Sequence, residues 1–252
     1  MSVTRPKALV LDLFDTLVKW EPARLPRFEW NGQSFPSTVP LLLAHLQRTI
    51  PGWAHDQAWI ECYNAVIMEI ATRRETQGIE VTCLERFSRT MARMAPALAC
   101  DRAALAEELR AIHMAAVRAA TTAPPANIAA ARRLSEHFRL GLLSNFDDAA
   151  TGYQVIADTG IANLFEVIVL SAEVALRKPN PRIFHHLLER MELAPHEVLF
   201  VGDTPHEDVV GAQRAGIPVV WLSHRHGTLP PEIPPPALIV PTLVELPAAL
   251  GL

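Results

Sequence analysis

The spacing of hydrophobic and polar positions changes twice along the chain. Residues 8–11 are an unbroken apolar run, the pattern of a short strand buried on both faces. The run leads into Asp12-Leu13-Phe14-Asp15-Thr16-Leu17-Val18, so two acids and a threonine stand at the C-terminal edge, where open α/β sheets place their ligands. Residues 19–35 follow no period and carry prolines at 22 and 26, which predicts irregular chain. From residue 37 to about 120 the apolar positions recur at helical spacing. Leu41, Leu42 and Leu46 follow a Ser37 cap, and Trp59, Tyr63, Val66, Ile67 and Ile70 come next. Leu84, Phe87 and Met91 form a third set, and Leu105, Leu109, Ile112 and Val117 a fourth behind an Asp101 cap. Four amphipathic segments with short breaks predict a small helical bundle, and its Trp, Tyr and Met side chains read as core.

After a linker at 121–125 (Thr-Thr-Ala-Pro-Pro) strands and helices alternate. Asn127 is expected to cap a helix running to His137. Strands are expected at 140–143, 167–170, 198–201, 218–222 and 238–240. Helices are expected from Asp148 to a Gly160 stop, from Lys178-Pro179-Asn180-Pro181 to Met191, over 208–215 before Gly216, and over 242–250. Repeated strand–helix–strand units with short loops predict a parallel, doubly wound sheet. The fold class is therefore α/β. Its core comes from residues 1–18 and 121–252, and a helical domain is inserted at 19–120. The Pro-rich stretch 230–236 reads as a surface linker.

Composition narrows the function classes. The 252 residues are 50% hydrophobic and 20% charged, ordinary values for a globular chain with a real core. The 23 basic and 27 acidic residues are dispersed, for a net charge of −4. No basic block suits nucleic acid or a membrane surface, so neither is expected as a partner. Arg5 and Lys7 before an apolar run imitate a signal peptide, but the two aspartates in that run argue against one. No apolar segment approaches the ~18 residues of a bilayer span. Cys62, Cys83 and Cys100 lack metal-ligand spacing and are odd in number, which predicts reduced thiols in a cytoplasmic protein.

Four predicted strand ends carry polar residues to one edge: Asp12 with Thr16, Ser144 with Asn145, Lys178 before its helix, and Asp203 with Asp208. In one cleft, Asp12, Asp203 and Asp208 against Lys178 leave a surplus of about two negative charges, costly to bury unless a cation neutralises them. Hard carboxylate oxygens suit Mg²⁺. The Gly202-Asp203 pair followed by Asp208 lets one acid leave a strand while the other enters the next helical turn. His185, His186 and His206 read as polar surface.

The stretches LDLFDTLV, GLLSNFDD, VALRKPNPRIF and VLFVGDTPHEDVVGAQRAG resemble, in this order, the motifs of the haloacid dehalogenase superfamily, most of whose members are phosphohydrolases. The resemblance covers residues 1–18 and about 121–222, and matches the helical block by position as a cap that closes over the site. It implies that Asp12 is a nucleophile forming an aspartyl-phosphate and that Thr16 orients it. It implies that Ser144 and Asn145 with Lys178 hold the phosphoryl group of a small phosphorylated substrate. It implies that Mg²⁺ is bound by Asp12, Asp203, Asp208 and the backbone carbonyl of Phe14.

One position departs from the family. Its phosphatases carry a general acid/base aspartate two residues after the nucleophile, and here Phe14 stands there; Asp15, where glycine is common, is expected to point elsewhere. The departure predicts a preference for leaving groups of low pKa, or a proton donor from the cap. It also opens a rival, since the 2-haloacid dehalogenases of this superfamily have an aromatic residue there and need no metal. They show small polar residues, however, where this chain keeps Asp203 and Asp208. Phosphonate cleavage would need a cap lysine, and residues 20–120 contain none. A catalytically weak binding or regulatory protein is the reading of another class, with Phe14 as its support.

Overall fold

The computed structural model describes residues 6–94 and 101–252; Arg5 and Cys100 lie outside them. The described residues divide into two compact units. One comprises the residues up to Trp20, Gly78–Glu80 and Thr122–Leu252; the other comprises the described residues of Glu21–Gln77 and Val81–Thr121. Gly78–Glu80 thus belongs to the α/β unit although insertion residues flank it on both sides.

The α/β unit is built on six strands: β1 (Ala8–Leu11), β2 (Arg139–Ser144), β3 (Phe165–Leu170), β4 (Val198–Gly202), β5 (Val219–Leu222) and β6 (Leu238–Val240). All pair in parallel, in the order β3-β2-β1-β4-β5-β6, which is the doubly wound arrangement with its order reversal at β1. β1 sits at the centre, Leu11 level with Leu142 on one side and Val201 on the other. Side chains alternate across the sheet. Leu9 and Leu11 pack with Leu142, Val201 and Leu222 against Ala131 and Leu134 of the Pro125–Ser135 helix and Ile156 of the Ala149–Asp158 helix. Ala8 and Val10 pack on the opposite face with Phe200 and Trp221 against Phe184, Leu187 and Met191 of the Pro181–Met191 helix. Helices on both faces bury β1, β4 and β5 completely, which is why these strands read as continuous apolar runs.

Several caps stand where the sequence places them. The Asp148 side chain accepts from Thr151 N–H, and Asn180 accepts from Arg182 N–H. Gly160, at φ 69°, ends the 149–158 segment. Asn127 does not cap. Pro125 starts that helix, and the Asn127 amide instead donates to the Thr16 and Leu17 carbonyls at 3.0 and 3.3 Å. It ties down the loop after β1. The 208–215 helix begins earlier than expected, as one wide turn over Pro205–Val210 followed by Gly211–Arg214.

The second unit contains the helices Val39–Thr49, Asp56–Gln77, Cys83–Arg93 and Arg102–Ala119. Trp59, Tyr63 and Phe87 are buried and stack in series, centroids 5.0 and 5.5 Å apart. Asp101 caps its helix by accepting from Ala103 and Ala104 N–H. Three expectations are corrected here. Thr38, not Ser37, occupies the first cap position, although the Ser37 hydroxyl accepts from Val39 N–H at 3.2 Å; Leu84 faces outward. Residues 27–36, expected to be irregular, form an antiparallel hairpin with Phe28 paired to Phe35. Its turn is Asn31-Gly32, both at positive φ (49° and 74°), the two-residue turn that Asn-Gly favours.

Candidate active site

The C-terminal ends of β1, β2 and β4 and the loop after β3 deliver the polar residues. Asp12 follows β1 directly, and its N–H continues the ladder by donating to the Val201 carbonyl at 2.9 Å. Ser144 closes β2, one residue beyond the level of Asp12, and is buried. Asp203 follows β4, and its backbone carbonyl accepts the Trp221 indole N–H at 2.8 Å. Lys178 precedes the Pro181–Met191 helix.

These residues converge on the lysine. Lys178 Nζ donates to Asp12 Oδ1 and to Asp208 Oδ1, each at 2.6 Å, and lies 5.3 Å from the centroid of the Phe200 ring. Oxygens of Asp12, Asp203 and Asp208 lie within 4.8 Å of one another, and all three residues are buried. Asp208 Oδ2 accepts Thr204 N–H at 2.9 Å, which closes the turn after β4. Gly202 makes this approach possible, because a Cβ there would collide with the Asp208 carboxylate.

Electrostatics follow from burial. Desolvation is the largest influence on Asp12 and, with Asp208 and Asp203 adding to it against Lys178, holds its pKa well above the usual carboxylate range. Asp203 is pushed up to about 6 by burial and by Asp208, against the pull of Arg225 and Lys178. For Lys178 burial works toward neutrality, but Asp12 and Asp208 outweigh it and raise the ammonium above its ordinary value. The lysine is charged, and the acids face an environment short of positive charge.

Arg225, in the loop after β5, had no motif to announce it. Its guanidinium is 3.0 Å from both Asp203 Oδ2 and Asp15 Oδ2 and half exposed. Because the same guanidinium also pairs with Asp15, the cluster keeps a negative surplus of about two, and solvent screens much of the arginine's contribution. Asp15 points to this arginine and also accepts Trp20 N–H at 3.2 Å; its φ of 56° is a conformation that aspartate tolerates better than most residues.

One expected role changes, that of Thr16. The Thr16 hydroxyl is buried and, among the described residues, has no hydrogen-bond partner, so it does not hold the Asp12 carboxylate. The Asn145 side chain faces the backbone of Lys178, donating to its carbonyl at 3.0 Å and accepting its N–H at 2.7 Å. The Asn145 side chain therefore fixes the lysine's backbone. Phe14 packs its ring 5.1 Å from that of Phe146. The backbone bridge beside it uses the Leu13 carbonyl and the Asp15 N–H, which leaves the Phe14 carbonyl outside that bridge. The three clustered carboxylates suit a hard divalent cation.

Comparison with known proteins agrees with this architecture. The chain is 38% identical over 80 residues to a phosphoserine phosphatase of Thermus thermophilus, covering 32% of each chain. It is 33% identical over 118 residues to the rat N-acylneuraminate-9-phosphatase, covering 46% of this chain and 47% of that one. The chain thus spans a third to a half of the length of these curated relatives. Among solved structures, a 2-haloacid dehalogenase from Pseudomonas syringae superposes with a TM-score of 0.74 at 20% identity, over 98% of both chains. A putative hydrolase from Bacillus subtilis, YfnB bound to magnesium, superposes at 0.66 and 21% identity, over 99% of this chain and 100% of that one. At these identities the likeness concerns the fold. The haloacid dehalogenase-like hydrolase family matches residues 6–216, and the chain belongs to that family of hydrolases.

Proposed function

We propose that this hydrolase is a divalent-cation-dependent phosphohydrolase acting through an aspartyl-phosphate on a small phosphorylated molecule. The observation that carries the reading is the cluster of three buried carboxylates within 4.8 Å of one another. Such a cluster would repel the carboxylate substrate of a dehalogenase, whereas a metal-dependent phosphohydrolase uses it. Mg²⁺ would be held by Asp12, Asp203, Asp208 and the Phe14 carbonyl, and bound there it would offset their charge and that of the phosphoryl oxygens.

The chain's own residues supply the remaining chemistry. A carboxylate oxygen of Asp12 attacks phosphorus as the bond to the leaving oxygen breaks, the electron pair going to the leaving group. Lys178, charged and fixed between Asp12 and Asp208, opposes the negative charge that builds up on the phosphoryl group. Ser144, buried at the end of β2, is the donor proposed for a phosphoryl oxygen. Water then adds to the phosphorus of the aspartyl-phosphate, releasing inorganic phosphate and the Asp12 carboxylate. No acid stands at position 14 to protonate the leaving oxygen, so substrates whose leaving group departs as a stable anion are favoured: aryl phosphates, acyl phosphates or anhydrides. A cytoplasmic setting belongs to the same reading, supported by Cys62 and Cys83 as thiols.

The test is phosphate release from an aryl and an alkyl phosphate, with Mg²⁺ and with chelator, using Asp12→Asn as control. The expected result is Mg²⁺-dependent turnover of the aryl ester that the substitution abolishes. Chloride release from a 2-chloro acid without phosphate release would replace this reading with dehalogenation. Neither activity would point to a binding protein.

A further inference from the structure

A second ionic ladder runs one residue behind the first. Lys178 pairs with Asp208 at 2.6 Å, and the preceding residue, Arg177, pairs with the residue preceding Asp208, its NH2 donating to Glu207 Oε1 at 3.0 Å. Consecutive residues of one segment therefore grip consecutive residues of another. The arginine is anchored from its far side by Glu80. Arg177 NH1 donates to Glu80 Oε1 and Oε2 at 3.2 and 3.0 Å, and the Ser171 hydroxyl donates to Glu80 Oε2 at 2.7 Å. The Glu80 side chain is 1% exposed.

The backbone repeats the attachment. Ile79 forms an antiparallel bridge with Leu176, flanked by Arg177 N–H to the Gly78 carbonyl and Glu80 N–H to the Ala175 carbonyl, both at 3.1 Å. A buried carboxylate with a guanidinium and a hydroxyl on it, and hydrogen bonds on either side of the bridge, is an expensive arrangement to keep unless it fixes something. What it borders is Lys178.

We infer that Glu80 is a positioning residue for this hydrolase: through Arg177 it sets the backbone from which Lys178 reaches Asp12 and Asp208. Asn145 holds the same backbone from the β2 side, so the lysine's segment is clamped from two directions. Glu80 touches neither substrate nor reacting atoms. Its effect is geometric, and a displacement of about 1 Å at a reacting group costs on the order of 10²-fold in rate.

The inference rests on the phosphohydrolase reading for its rate consequence and on geometry alone for its structural one, so the experiment reads both. Glu80→Gln keeps the shape and one hydrogen-bond acceptor, while Glu80→Ala removes the anchor. The double variant Glu80→Ala/Arg177→Ala removes both members of the ion pair and covers the case in which the single alanine fails to fold. Each is assayed for kcat and KM on the aryl phosphate with Mg²⁺, for melting temperature, and by crystallography.

The expected result is a kcat lowered about 10- to 100-fold in Glu80→Ala or in the double variant, with KM within about twofold. Glu80→Gln should lie between these and the parent. Lys178 Nζ should leave hydrogen-bond distance of Asp12 or Asp208, in protein still folded at the assay temperature. A lysine displaced in protein that releases no phosphate even as the parent chain would sustain the positioning role and reject the phosphohydrolase reading. Unchanged kcat with Lys178 still bonded to both acids would overturn the inference, and so would an equal loss of kcat and melting temperature with the lysine in place.

Discussion

The ammonium of Lys178 stands 2.6 Å from the carboxylate of Asp12, a residue 166 positions earlier in the chain. Both are buried and each depends on the other for its charge, the lysine being raised and the aspartate opposed in its ionisation only in part because the other is there. Lys178→Met should therefore act twice. Turnover should fall by at least about 10²–10³-fold, the loss seen when one fixed electrostatic group is removed from a transition state. Metal-free protein should lose several kcal/mol of stability, because three buried acids lose their common counter-charge. Melting curves with chelator and with Mg²⁺ check the second part, and Mg²⁺ should recover a share of the loss.

On the phosphohydrolase reading, Phe14 should decide which leaving groups depart. The parent chain should favour an aryl over an alkyl phosphate by about 10²–10⁴-fold, the value of general acid assistance that it lacks. Phe14→Asp should raise the alkyl rate and narrow that ratio, at some cost in stability from the lost packing on Phe146. Steady-state rates on the two esters read the ratio directly. Equal parental rates would mean that another residue delivers the proton.

Acid should stabilise the metal-free protein through Asp203. Its folded pKa of about 6 lies above the ~3.9 of an unfolded aspartate. The folded state thus holds the proton more tightly, and this stability is full below about pH 4 and lost as pH rises through about 6. The size is of the order of 2–3 kcal/mol. Urea midpoints between pH 4 and pH 8 in chelator should show the decline, and Asp203→Asn should flatten it. On the same reading, added Mg²⁺ should oppose the decline at high pH, since a bound ion would favour the ionised acids.

Gly202→Ala tests the close approach of β4 to Asp208. The new methyl would collide with that carboxylate, so the turn must shift, at a cost of roughly 1–3 kcal/mol. Because Asp208 also holds Lys178 and accepts Thr204 N–H, affinity for Mn²⁺ as a probe ion should fall along with activity. Unchanged Mn²⁺ affinity would show that Asp208 is not among the ligands.

The residues that were legible in advance share one property: each sits at a fixed offset from a strand end. Asp12, Ser144 and Asp203 are carried to the edge by strands whose apolar runs announce them, and Lys178 and Asp208 follow from the turn into a helix. The hairpin at 27–36 was also marked, by Asn31-Gly32 between aromatic residues; the prolines at 22 and 26 obscured it. The contacts of the Thr16 and Asn145 side chains were not legible, since a side chain's partner depends on which backbone lies opposite. Thr16 makes no bond to Asp12, and Asn145 is taken up by Lys178.

The sequence by itself determined the order of the sheet strands and main helices of the α/β unit, the α/β class, the family and the identity of the converging acids and lysine, because period and strand-end spacing are local properties. Only the tertiary structure decided that Arg225 reaches Asp203, that Asn127 ties down the loop after β1, and that Glu80 joins the α/β unit to brace Arg177. Those contacts span 22, 111 and 97 positions. They form because a buried charge or amide must find a partner wherever the fold brings one within reach, and no local pattern encodes where that will be.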